Sequence, residues 1–135
     1  MGIKNASIMP VLAVDDLDRA TTFYHDKLGF SVRRLGEDPN TALVEIGDSG
    51  RLLLYKSTYK RGENTVAAFL IKDVEGTVSE LQSRGITFEE YDLPGLKTNN
   101  GVAVIGDLHS AWFKDSEGNT IAISTELPEV MRKAA

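Results

Sequence analysis

The chain contains no cysteine, which excludes disulfides, thiol chemistry and thiolate metal sites together. It has no apolar run of about 18 residues, so no membrane-spanning helix is expected. It has no basic cluster either. Its 15 Lys and Arg are outnumbered by 20 Asp and Glu, for a net charge of −5, which argues against nucleic acid, whose phosphates demand cationic side chains. Met1-Gly2-Ile3-Lys4-Asn5 lacks the apolar core of a secretory signal, so cytoplasmic residence is the expectation. What remains is an ordinary globular composition, 41% apolar and 26% charged over 135 residues. A chain of this size buries roughly two-thirds of its unfolded surface as one domain.

What is present is a repeat. Val14-Asp15-Asp16-Leu17-Asp18-Arg19-Ala20 opens a helical pattern ending at Leu28-Gly29-Phe30. Ile71-Lys72-Asp73-Val74-Glu75-Gly76-Thr77 opens another, ending at Arg84-Gly85-Ile86, and Asp16 and Asp73 stand 57 positions apart. The turns Gly47-Asp48-Ser49-Gly50 and Asp115-Ser116-Glu117-Gly118 each lead into an apolar run, at a separation of 68. The second copy therefore carries about eleven extra residues between helix and last hairpin. Two copies imply a pseudo-twofold fold with a ligand cleft between them.

Element by element, residues 8–14 read as a strand, irregular at Pro10. Asp15 or Asp16 caps a helix whose buried face is Leu17, Ala20, Phe23, Tyr24 and Leu28, with Gly29 as its stop. Strands follow over 31–35, 41–46 and 51–56, separated by turns over 36–40 and 47–50. In the second copy, 66–71 is almost continuously apolar and predicts a strand buried on both faces. Val74, Val78 and Leu81 mark the helix, and 87–91 is strand-like. Residues 92–101 read as a loop, 102–105 as an additional strand, and 111–114 pairs with 120–124 across the turn. The expected class is α+β: tandem βαβββ modules over 6–57 and 64–125, then a short helix or frayed tail over 126–135, within a single domain.

The stretch from Val14 to Ala20, with Phe23-Tyr24 and Leu28-Gly29-Phe30, resembles the first module of the vicinal oxygen chelate superfamily. That superfamily holds the glyoxalases, the extradiol dioxygenases and the bleomycin- and fosfomycin-resistance proteins. Trp112-Phe113-Lys114-Asp115-Ser116-Glu117-Gly118-Asn119 resembles its closing hairpin. The resemblance implies that the modules form a cup-shaped, partly open barrel around a cavity, and that two chains pair as a homodimer.

In metal-dependent members, as the resemblance implies, His, Gln or Glu from the first and last strand of each module hold one divalent metal. The repeat maps those positions onto Met9 and Val66, seven residues before Asp16 and Asp73, and onto Leu54 and Ala122, four after Gly50 and Gly118. All four are apolar. Divalent metals of this family take oxygen or nitrogen donors, and a thioether suits Cu(I) better. A shift of one residue brings in Pro10, Leu53 or Tyr55, Thr65 or Ala67, and Ile121 or Ile123, which make no ordinary site.

The expected function is accordingly a metal-free binding protein, without cofactor, that holds a partly aromatic or apolar small molecule among Met9, Leu54, Val66, Ala122, Trp112, Tyr55 and Lys97. Alternation sets Trp112 and Lys114 on one face and Ala111 and Phe113 on the other, without saying which meets the helix. Tyr55 or Lys56 reaches the pocket, whereas Lys60 and Arg61 read as a solvated linker. Lys97, with Leu96, belongs to the inserted loop, which is either a lid or a plain surface excursion. The alternative is a superfamily enzyme (lyase, isomerase or dioxygenase-like) working without the usual four ligands. His109, with Asp107 two residues away, is then the general base, although a simple loop histidine is the plainer reading. His25 reads as a solvated helix residue. Purified protein titrated with Zn, Mn, Fe, Co or Ni is expected to show sub-stoichiometric metal by elemental analysis and no thermal shift. One tightly held ion per chain would refute the mapping.

Overall fold

A computed structural model describes residues 2–5, 8–34, 38–58 and 62–125. Leu35, most of the 36–40 turn's first half, Lys60, Arg61 and the tail over 126–135 lie outside the described residues. The chain divides into two compact units, Met1–Gly62 and Glu63–Ala135.

The first unit runs from a 3-10 turn (Gly2–Asn5) to β1 (Val11–Val14), α1 (Leu17–Thr22), a π-helical turn (Phe23–Lys27), β2 (Ser31–Arg34), β3 (Thr41–Ile46) and β4 (Gly50–Lys56). Its open sheet has the order β1-β4-β3-β2, with β1 parallel to β4 and the other pairs antiparallel. Asp16 is the helix cap, its carboxylate accepting the Arg19 N–H at 3.0 Å. Leu12, Val14, Ala42, Val44, Leu52 and Leu54 are buried with Leu17, Ala20, Phe23 and Tyr24 of the helical segment, which makes this the α1 side of the sheet. The expected continuous helix to Leu28 instead widens after Thr22, where the Leu28 N–H reaches the Phe23 carbonyl. The wider turn lets the adjacent Phe23 and Tyr24 both face the core. The first strand also starts later than its apolar run, because Ile8, Met9 and Pro10 precede β1.

The second unit contains β5 (Thr65–Ile71), α2 (Val74–Ser83), β6 (Asp92–Leu93), β7 (Leu96–Asn99), β8 (Val102–Ile105), β9 (Leu108–Lys114) and β10 (Thr120–Thr125), in one open sheet of order β5-β10-β9-β8-β7-β6. Asp73 caps α2 through the Gly76 N–H at 3.0 Å. A β-carbon at Gly76 would lie 2.2 Å from the Asp73 carboxylate. Val74, Val78 and Leu81 are buried as the periodicity requires. Asp115 builds the last hairpin, accepting the N–H groups of Glu117 and Asn119 at 2.8 and 2.9 Å.

Three expectations fail in this unit. Burial on both faces falls on the internal strand β10, where Thr120, Ile121, Ala122 and Ile123 are all buried. Strand β5 is an edge with β10 on one side alone, leaving Val66 41% and Leu70 54% exposed. Residues 87–91 form no strand: Phe88 makes one isolated bridge to Phe113 before the chain turns away. The inserted residues are not a loop. Pro94-Gly95 turns β6 into β7, Asn100-Gly101 turns β7 into β8, and Gly106-Asp107 turns β8 into β9, a meander that widens the sheet.

The Asn100-Gly101 turn has φ of 53° and 81°, the paired left-handed geometry of a type I′ hairpin. It is pinned from beneath, because Glu90 accepts both the Gly101 N–H and the Thr98 hydroxyl at 2.7 Å. A β-carbon at Gly101 would lie 2.9 Å from Phe88, whereas one at Gly95 meets nothing within 4 Å. Gly101→Ala is therefore expected to destabilise by about 2–4 kcal/mol and Gly95→Ala by about 1 kcal/mol. Urea denaturation of the two variants checks the order.

Candidate functional site

Register decides which side chains share a face. In the first unit Leu54 stands in the row Leu12–Leu54–Ala42, all buried on the α1 side. The neighbouring row, Val11–Leu53–Leu43, and the row Ala13–Tyr55–Thr41 point the other way and are partly accessible. Tyr55, not Lys56, is thus on the sheet face turned away from the helix. Lys56 instead borders a shallow hollow of about 360 Å³ with Asp15, Asp16, Asp18, Arg34 and Asn40, where Arg34 pairs with Asp18. Thr41 Oγ1 is buried and has no hydrogen-bond partner among the described residues.

In the second unit Phe113 packs edge-to-face on Phe88 at 5.4 Å, and its row with Ile121, like the row Ala111–Ile123–Phe69, lies on the α2 side. Trp112 therefore occupies the opposite face, directly across from Ala122, which pairs in turn with Ala68. Val66 is the unpaired β5 residue at the register shift beside Thr120 and Ile121, so alternation does not set its face. The structure brings Trp112 and Ala122 together, although Ala122 has only 6% of its surface exposed, while Val66 is exposed on the edge strand. Met9 lies just before β1 and is 39% exposed. Lys97 faces Asp92 across the β6–β7 hairpin, and register carries it into the row of Val104 and His109, on the α2 side and three residues along from Trp112, so the structure does not bring it to the tryptophan.

The two units reveal an error of one residue in the repeat. Leu12 pairs with Leu54 and Phe69 with Ile123, so last-strand equivalents stand 69 apart and not 68. Ala122 corresponds to Leu53. The turn glycines are not equivalent, because Gly50 already pairs with Ile46 in β4 whereas Gly118 lies inside the turn between Lys114 and Thr120, a difference that counting from them could not see.

His109 has a different partner from the one its sequence neighbourhood suggested. Its Nδ1 lies 2.6 Å from Glu75 Oε2, in the first turn of α2, while Asp107 occupies the tight β8–β9 turn. His25 is exposed beside Asp26 at 2.7 Å. Sequence reasoning missed Tyr91 altogether. Its ring meets Trp112 edge-to-face at 5.5 Å, because the Phe88–Phe113 bridge and the Glu89 N–H to Trp112 carbonyl bond carry it there. Lys114 shares the Trp112 face, bonded to Thr120 at 3.1 Å with Glu89 at 3.9 Å.

Two units that each open with a strand and a helix, and are each closed by a parallel pair of first and last strands, define a class of protein built on a tandem repeat. The family model of the Glyoxalase/Bleomycin resistance protein/Dioxygenase superfamily matches residues 6–123, and the chain belongs to this family. Among solved structures it is similar to UcmS2, with 22% identity, TM-score 0.71, and 90% of this chain and 99% of that one covered. A superfamily protein from Alicyclobacillus acidocaldarius is similar at 17% identity and TM-score 0.69, with 97% and 98% covered. Another, from Sphaerobacter thermophilus DSM 20745, gives 20% and 0.68, with 90% and 98% covered. These likenesses show the fold. The sequence has no match among curated proteins.

The metal that the family implies does not fit the residues present. Met9, Val66 and Ala122, with Leu53 or Leu54, offer one thioether and otherwise only carbon, whichever register is taken. Among the described residues no three His, Asp or Glu side chains gather elsewhere as a substitute.

Desolvation raises the Tyr91 phenol above its usual 10.0, and the carboxylates of Glu89 and then Glu63 raise it further. The folded state thus favours the neutral phenol, a contribution present below pH 10 and lost as pH rises through the folded value. A difference titration at 295 nm between the parent protein and Tyr91→Phe is expected to place Tyr91's midpoint above that of free tyrosine. Glu89→Gln is expected to lower it.

Proposed function

We propose that the protein binds a flat, partly aromatic or apolar small molecule without a metal, and does so as a homodimer. In this reading the ligand lies against the helix-free sheet faces, one in each module. Trp112 and Tyr91 form the aromatic wall, with the small residues Ala68, Ala122, Ser110 and Ser124 leaving room beside them and Val66 on the exposed edge strand. The first module contributes Leu53 and Tyr55. Met9 stands at the entrance to the first strand. Leu54, sealed in the core, supports this face from behind.

The observation that carries the reading is the Trp112–Tyr91 pair on the helix-free face, half-buried and flanked by small side chains. An aromatic surface of this kind stacks on a planar ring, contributing about 0.5–1.5 kcal/mol beyond burial. The exposed apolar edge of β5 supports pairing, because Val66 and Leu70 are left there for a second copy to cover.

The enzyme alternative rests on His109, whose Nδ1 contact with Glu75 fixes one ring nitrogen and leaves the other free for proton transfer. Isothermal titration with 2-naphthol separates the two. Saturable binding weakened about tenfold in Trp112→Ala, and unchanged in His109→Ala, is the expected result. Affinity indifferent to Trp112 would overturn the binding reading. A turnover abolished by His109→Ala would establish the alternative.

A further inference from the structure

The second unit carries a cavity of about 460 Å³ on the α2 side of its sheet, away from Trp112. Its walls come from two sources. Glu75, Val78, Ser79 and Gln82 line it from α2, and Asn99, Asn100, Val102 and Val104 from the β7–β8 hairpin. The volume falls within the roughly 300–1,000 Å³ range of small-molecule sites. The cavity owes its existence to the insertion: without the meander, nothing would stand over the outer face of α2's second turn.

The lining has a distinct chemical character. Glu75 is the one formally charged side chain among the eight, and no Lys or Arg borders the cavity. Gln82, Asn99 and Asn100 each offer both a donor and an acceptor, and Ser79 a hydroxyl. Among the described residues none of these four side chains is engaged in a hydrogen bond, unlike Thr98 and Glu90 immediately beneath them. Val78 and Val102 form a buried apolar floor, with Val104 as an exposed rim. Glu75 is held in place by His109, which engages one carboxylate oxygen at 2.6 Å and leaves the other.

We infer that this cavity is a second binding site, for a small molecule carrying a protonated amine on a hydroxyl-rich carbon frame, of the amino-sugar type. The free Glu75 oxygen receives the ammonium. The amides and Ser79 exchange hydrogen bonds with hydroxyls, which both donate and accept. The valine floor takes the apolar C–H face that such a frame presents. An anionic ligand meets the Glu75 carboxylate and no lysine or arginine of the lining, and is disfavoured. The site is separate from the aromatic face above, since the sheet itself lies between His109's row and Trp112's.

The test is a titration of the isotope-labelled full chain by two-dimensional NMR, with D-glucosamine, D-glucose and D-glucose 6-phosphate as probes. Saturable shifts confined to the amides of 75–82 and 99–104 are expected, with glucosamine bound about fivefold more tightly than glucose and the phosphate not at all. Glu75→Gln is expected to erase the preference for the amine. Gln82→Ala, on an exposed helical position, is expected to weaken both sugars alike and guards against a folding defect in the first variant. No saturation with glucosamine, an unchanged preference in Glu75→Gln, or shifts confined to the Trp112 indole would each overturn the proposal. Because 2-naphthol and glucosamine address opposite faces, failure of one experiment leaves the other standing.

Discussion

The parallel pairing of first strand with last is the constraint on which each unit depends. Parallel neighbours cannot be joined by a hairpin, so a crossover element must lie between them. In each unit the crossover is the helix that directly follows the first strand, together with the antiparallel strands that return the chain. Once Leu12 is set beside Leu54, and Phe69 beside Ile123, the alternation of every other strand is decided. One face seals against the helix. The other is left free of the helix.

That parity explains why a single position matters so much. Moving from Leu54 to Leu53 exchanges a core side chain for one on the helix-free face, and only the pairing register tells them apart. The same rule sends Trp112 to one side and Phe113 to the other. The tryptophan meets Tyr91, and the phenylalanine meets Phe88.

The repeat, both helix caps, the helix faces and the closing hairpin were legible because each depends on local chemistry. Asp16 and Asp73 cap through contacts three residues away, and Asp115 shapes its turn within four. The burial of β5 was not legible: its apolar run records the need to cover a strand, not where in the sheet that strand lies. The meander over 92–105 was hidden by composition, although Asn100-Gly101 is the strongest two-residue hairpin signal there is. The His109–Glu75 contact spans 34 residues and had no local trace. The apolar nature of the expected ligand positions survived the register error because the residues on either side are equally unable to hold a divalent ion.

Gly76 stands at the same place after Asp73 as Arg19 does after Asp16, and both donate their N–H to the capping carboxylate at 3.0 Å. One copy has a full side chain where the other has none, in a helix where glycine is a poor choice. The carboxylate of Asp73 has settled into the volume that a β-carbon would need. Within one polypeptide, then, stand two solutions to one capping problem. The second is contingent on its glycine: a side chain at Gly76 calls for a different rotamer of Asp73, so the two positions constrain one another.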